Sequence, residues 1–174
     1  GGTFTTTPVI TFDTNVNGAA RTVNISTASN NPASIVVDDD ITVVMTAGQA
    51  NTQTMSGSGI VTVSGVTAST NLSSIASSLT LNANLQTGSD ITSASNLSTV
   101  DKFNLENDAL VTMTIDQHNT IETAVGTANK VTLGNTGSLN ANTTVESYQL
   151  AAQDVNVSGV SNASLASVVA TGHG

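Results

Sequence analysis

Cysteine and tryptophan are absent from the 174 residues, proline occurs twice, and only Phe4, Phe12, Phe103 and Tyr148 are aromatic. Without cysteine there are no disulfides, no thiolate metal sites and no cysteine nucleophile. Cations are as scarce. Arg21, Lys102 and Lys130 stand against 12 Asp and Glu residues, for a formal charge of −9. So few cations cannot neutralise a useful number of phosphates, which excludes nucleic-acid binding. No apolar run approaches the ~20 residues of a membrane-spanning helix, and no stretch reads as a signal peptide.

What the chain has instead is threonine, serine and asparagine, at 29, 21 and 19 residues. Disordered chains are rich in Pro, Glu and Lys and poor in β-branched apolar residues. Here Val, Ile and Thr are plentiful, so the composition is β-forming. The length suits one domain or one stretch of a repeat array.

Repeats are visible at two scales. Val43-Val44-Met45-Thr46-Ala47-Gly48-Gln49-Ala50-Asn51-Thr52 matches Val111-Thr112-Met113-Thr114-Ile115-Asp116-Gln117-His118-Asn119-Thr120 at an offset of 68, the separation of Met45 and Met113. Within that template, Asn71-Leu72-Ser73-Ser74-Ile75 recurs as Asn96-Leu97-Ser98-Thr99-Val100, and more loosely at Asn142 and Asn162. An apolar-x-apolar triplet follows, as in Leu79-Thr80-Leu81, Phe103-Asn104-Leu105 and Tyr148-Gln149-Leu150. These landmarks predict coils of about 20–25 residues, each with short alternating strands and Gly or Asn at the corners.

The expected fold is all-β, an irregular parallel β-solenoid over residues 30–174, preceded by an N-terminal β arm and connection over 1–29. The alternative is a β-sandwich, which also has short strands and frequent turns. No stretch shows helical periodicity. The alternation predicts that Ile35, Val43, Met45, Val61, Val63, Leu79, Leu81, Phe103, Leu105, Val111, Met113, Val131, Leu133, Tyr148, Leu150, Val155 and Val157 point inward. Thr62, Thr80, Asn104, Thr112, Thr132 and Gln149 are expected to face out. The strand-prone stretch Thr3 to Phe12 reads either as the first, atypical coil or as an arm that pairs elsewhere. The last coil, around Val168-Val169, reads as uncapped.

Candidate chemistry is sparse. Ser-His-Asp catalysis would need His118 or His173. His118 stands in a repeated turn where the other copy has Ala50, and His173 is next to the last residue, so the expectation is a protein without enzymatic activity. Asp38-Asp39-Asp40 is the densest acidic run and a candidate part of a calcium site, because calcium takes six to eight oxygen ligands. The favoured reading of the same run is a solvated turn that blocks unwanted edge pairing. Asp101, Glu106 and Asp108 form the next acidic group. The Asn-x-Ser/Thr sequons at Asn24, Asn71, Asn96, Asn142, Asn156 and Asn162 follow from the composition.

Ile41-Thr42-Val43-Val44-Met45-Thr46-Ala47-Gly48-Gln49-Ala50, Gly57-Ser58-Gly59-Ile60-Val61-Thr62-Val63-Ser64-Gly65 and Thr99-Val100-Asp101-Lys102-Phe103-Asn104-Leu105 resemble the degenerate β-strand repeats of large secreted bacterial surface proteins. These include S-layer-like proteins and repetitive adhesins, and the resemblance extends over about residues 34–171. It implies an extracellular or cell-surface location, assembly into sheets or fibres, and often calcium dependence. The calcium-binding Gly-Gly-x-Gly-x-Asp nonapeptide is absent. The expected function is therefore structural: a subunit stacked head to tail in a filament or surface layer, with Thr3 to Phe12 pairing with a neighbour's last coil. The alternative is an adhesive module that binds glycans.

Overall fold

The computed structural model describes residues 9–13, 19–29, 32–51, 53–106, 108–124, 130–135, 137–140, 147–150, 155–158 and 167–170. The chain is all-β, with parallel sheets and stacked coils: a β-solenoid. A sandwich would carry antiparallel strands.

Two compact units make up the chain. The first comprises residues 1–64, 69–82 and 95–101, and the second residues 65–68, 83–94 and 102–174.

The first unit opens with β1 (Val9–Phe12), β2 (Arg21–Asn24), β3 (Ser34–Val37) and β4 (Ile41–Thr46). A one-turn helix α1 (Ala47–Ala50), β5 (Thr54–Gly57), β6 (Ile60–Val66) and β7 (Thr80–Leu85) follow, with β6 and β7 contributing residues to both units. β1, β3 and β5 form one parallel ladder, in which Ile10 lies beside Ile35 and Ile35 beside Met55. A second ladder sets Val23 beside Val43 and Val43 beside Val61. The alternation in sequence is the cause. Ile41, Val43 and Met45 are buried while Thr42, Val44 and Thr46 between them are half-buried. Since strands pair in register, each inward residue stacks on the inward residue of the next coil and the core becomes a set of apolar columns. Stretch 1–29 is thus a first coil as far as β1 and β2 describe it; Thr3–Pro8 lie outside the described residues.

One corner of this unit demands glycine. Ser58 and Gly59 both donate their N–H to the Val37 carbonyl, at 3.0 and 3.1 Å. Gly57 has φ +123°, and a Cβ there would run into the Val37 carbonyl oxygen. Only glycine tolerates both conditions.

The second unit contains β8 (Ser89–Asp90), β9 (Lys102–Leu105), β10 (Leu110–Met113) and a second one-turn helix, α2 (Ile115–His118). They are followed by β11 (Ile121–Ala124), β12 (Lys130–Leu133), β13 (Gly137–Asn140), β14 (Ser147–Leu150), β15 (Val155–Ser158) and β16 (Ser167–Ala170). β8, β10, β12, β14 and β16 form one sheet in that order, β9 pairs with β11, and β13 pairs with β15. Val111, Val131 and Tyr148 succeed one another in a buried column. The step between paired residues varies from 25, at Val9 and Ser34, to 17, at Lys130 and Ser147. Turns absorb the difference. All three cations begin strands: Arg21 in β2, Lys102 in β9 and Lys130 in β12.

The offset of 68 read from the sequence is structural. It carries β3 onto β9, and α1 onto α2 residue for residue. Every inward residue named above whose side chain is described is buried; Leu150, Val155 and Val157 fall outside the described side chains. One expectation needs correction. Helix is present, as α1 and α2, each too short to leave a 3.6-residue pattern. The outward residues Thr62, Thr80, Asn104, Thr112, Thr132 and Gln149 are half-buried, because outward side chains on adjacent parallel strands stand only ~4.8 Å apart and shade one another.

Leu105→Asp places an unpaired carboxylate in an apolar column and is expected to cost about 3–5 kcal/mol in urea unfolding. Gly57→Ala forces the Val37 corner to move and is expected to cost about 1–3 kcal/mol. A loss below about 0.5 kcal/mol for either would contradict the packing described.

Candidate functional site

The acidic run lies in the turn between β3 and β4. Asp39 and Asp40 are exposed and Asp38 is half-buried. The Asp38 carbonyl accepts from Ile41 N–H at 3.2 Å, and Asp40 adopts φ 62°, the left-handed conformation that Asp and Asn enter more readily than most residues. Sixty-eight residues on, Asp108 repeats this at φ 58° before β10. Both aspartates therefore have a backbone reason to be where they are. Asp101 is also committed, its Oδ2 accepting from Leu81 N–H at 2.8 Å. Among the described residues, no three His, Asp or Glu side chains converge on one point.

The Asn-x-Ser phrase has a backbone role as well. Asn71 Oδ1 accepts from Ser73 N–H at 3.1 Å and from Ser73 Oγ at 2.7 Å, and Ile75 N–H closes the turn on the Leu72 carbonyl at 3.0 Å. Asn24 Oδ1 accepts from Ser26 N–H at 2.9 Å, and Asp90 Oδ1 from Thr92 N–H at 3.0 Å and Thr92 Oγ1 at 2.7 Å. The Thr92 bonds hold the Asp90 carboxyl below its ordinary pKa. These are Asx turns, in which a side-chain oxygen stands in for a backbone acceptor. Two of the six sequons, Asn24 and Asn71, thus have their amide oxygens engaged in turns.

Each turn of this kind exposes a carbonyl, and in two cases a glutamine takes it. Thr46 and Thr114 begin α1 and α2 with capping boxes, their hydroxyls accepting from the N–H of Gln49 and Gln117 at 3.3 and 3.2 Å. The glutamine Oε1 atoms accept in return from Thr46 and Thr114 N–H at 2.9 and 2.8 Å. That leaves each amide Nε2 free to reach the preceding coil. Gln49 donates to the Ile25 carbonyl at 2.7 Å and the Ala28 carbonyl at 3.1 Å, and Gln117 donates to the Ile91 carbonyl at 2.8 Å. The same four-residue cap thus ties coil to coil in both units. The Thr-x-x-Gln spacing, repeated at 68, is the sequence signal for it.

His118, the last residue of α2, is 1% exposed. Its Nε2 lies 2.8 Å from the hydroxyl of Tyr148, also 1% exposed, and its Nδ1 lies 3.3 Å from Asn119 Oδ1. The rings meet edge to face with centroids 5.2 Å apart. Asn119 Oδ1 can only accept, so the proton sits on Nδ1 and Tyr148 donates to Nε2. Burial lowers the pKa of His118, and the Asn119 bond opposes this only in part. Both ring nitrogens are occupied and neither faces solvent, so the imidazole has no position from which to take a substrate's proton. His173 lies outside the described residues.

Removing the cap and the coil-to-coil bond together, Gln49→Ala and Gln117→Ala are each expected to cost about 1–2 kcal/mol in chemical denaturation. An unchanged unfolding midpoint would show the glutamines to be incidental. Chelator is expected to leave the melting temperature where it is, since a bound calcium ion would stabilise by mass action and its removal would lower it. A drop of several degrees would support Asp38, Asp39 and Asp40 as ligands.

No protein family matches the sequence, and neither curated proteins nor solved structures provide a match.

Proposed function

We propose that this chain is a structural β-solenoid of a secreted surface assembly, extended head to tail by one coil stacking on another. The carrying observation lies at β1 and β2. Ile10 pairs with Ile35, Phe12 with Val37 and Val23 with Val43. The inner member of each pair is 1% exposed or less, whereas Ile10 is 41% exposed and Phe12 and Val23 are half-buried. Among the described residues, these three columns are uncovered at their β1 or β2 members. β1 and β2 also stand at sheet edges, each with one partner strand among the described residues.

Such an edge offers backbone pairing in register together with apolar contacts, the two forces that hold each coil on the next within the chain. Covering an Ile, Phe or Val side chain is worth about 1.5–3 kcal/mol. A coil of a neighbouring copy satisfies both demands, and addition of that kind is heterologous, so it propagates instead of closing. The charge of −9 opposes side-by-side clumping while leaving axial stacking open. A secreted location is supported by the composition and by the resemblance to surface-protein repeats.

A second reading, an adhesive glycan-binding face, draws support from a shallow groove of about 250 Å³ lined by Ser89, Leu110, Thr112, Lys130 and Thr132. Leu110 is 52% exposed there, an apolar surface beside a polar ladder.

Negative-stain images of the concentrated protein are expected to show particles that lengthen with concentration. Ile10→Asp is expected to raise the concentration needed by at least about tenfold, equal to roughly 1.4 kcal/mol, with little change in melting temperature because Ile10 is exposed. Particles of one size at every concentration would overturn stacking, and carbohydrate-array binding lost in Leu110→Asp would favour the adhesive reading.

A further inference from the structure

At one of the buried positions where the second unit departs from the template it shares with the first, a titratable side chain enters the core. Ala50, 0% exposed at the end of α1, is replaced 68 residues on by His118 at the end of α2. The imidazole bridges α2 to β14 through Tyr148, 30 residues away in sequence. We propose that the His118–Tyr148 pair is an acid-sensitive latch that holds α2 on β14 while the imidazole is neutral and releases it when the imidazole is protonated.

The geometry sets the direction. In the neutral ring Nε2 accepts from the Tyr148 hydroxyl while Nδ1 faces Asn119. A second proton turns Nε2 into a donor, so the Tyr148 hydroxyl must swing round to accept. The resulting cation is buried beside a neutral phenol. Among the described residues, no carboxylate is placed to pair with it; Glu146, two residues before Tyr148, lies outside them. On α2, Asp116 is exposed. β10, β13 and β14 bring no charged residue, since β13 is Gly-Ser-Leu-Asn and β14 is Ser-Tyr-Gln-Leu. β12 brings Lys130, a like charge, in register with Ser147. Glu122 on β11 lies outside the described side chains.

The sign follows from linkage. Burial depresses the pKa of His118 in the fold, whereas in the unfolded chain the residue titrates near its ordinary value, about 6.5. On acidification the unfolded state takes up the proton first, so stability is intact above about pH 6.5 and is lost progressively as pH falls toward the folded pKa. Asp90, whose carboxyl the Thr92 bonds hold below its ordinary pKa, costs stability in the same sense but only at lower pH, below about pH 5, while the general loss of negative charge relieves the repulsion of a −9 protein. Acid loosening through His118 therefore stands out above about pH 5.

The test uses the full chain, with His173→Gln as the background so that one histidine remains. Its ring resonances are expected to titrate below the ordinary histidine range, and its melting temperature to fall between about pH 7.5 and about pH 5. Adding His118→Ala, the residue the first template carries, is expected to abolish the acid-dependent fall; His118→Gln serves the same purpose if the alanine variant does not fold. Tyr148→Phe removes the donor to Nε2 and is expected to shift the midpoint of the ring titration while leaving the fold in place at neutral pH. An ordinary titration in the folded protein would overturn the latch. So would the same acid-dependent fall in a variant lacking His118.

Discussion

Parallel pairing in register is the constraint on which the molecule depends. It obliges each inward residue to rest on the corresponding residue of the adjacent coil, so a position is chosen for a column rather than for a neighbour. Ile10, Ile35 and Met55 form one such series, and Val111, Val131 and Tyr148 another. Small variations in volume along a column are tolerable because two stacked residues can share them. A change of polarity is not, which is why the triplets remain apolar-x-apolar although their identities drift from Leu-Thr-Leu to Phe-Asn-Leu to Tyr-Gln-Leu.

Around the columns, polar residues answer to the backbone. Coils that turn every few residues leave carbonyl and amide groups without strand partners, and a chain so poor in charge meets that demand with short neutral side chains. Asn24 and Asn71 supply acceptors within turns, and Gln49 and Gln117 supply donors between coils. The abundance of Thr, Ser and Asn is in this sense a structural requirement of many tight corners, which weakens any inference from those residues to glycan attachment or ligand binding.

The alternating triplets and the offset of 68 were legible because they depend on neighbours in sequence. The columns, the parallel architecture and the equivalence of the two templates follow from them. Three features were hidden. The helices α1 and α2 are one turn each, set by capping geometry rather than by periodicity. The role of Asp40 and Asp108 depends on a positive φ, and in sequence an acidic run looks the same whether it binds an ion or bends a turn. The His118–Tyr148 contact depends on how residues 119–147 are apportioned between turns and strands, and coil steps ranging from 17 to 25 defeat that count. Reading Gln49 and Gln117 as a capping box was within reach, since both glutamines recur three residues after a threonine.

The placement of the three cations has a bearing on resistance to proteolysis. A protease that cuts after Arg or Lys needs several residues around the bond drawn out as a free extended strand. Arg21, Lys102 and Lys130 each open a strand whose backbone is already paired: Arg21 N–H to the Asp40 carbonyl at 2.9 Å, Lys130 N–H to the Ala109 carbonyl at 2.7 Å, and Phe103 N–H, beyond the Lys102 bond, to the Thr120 carbonyl at 3.2 Å. Digestion at these sites must wait for a coil to open, so its rate follows the population of opened coils rather than the number of exposed bonds. Scarcity of cations and their positions in the ladder thus act together as one form of durability.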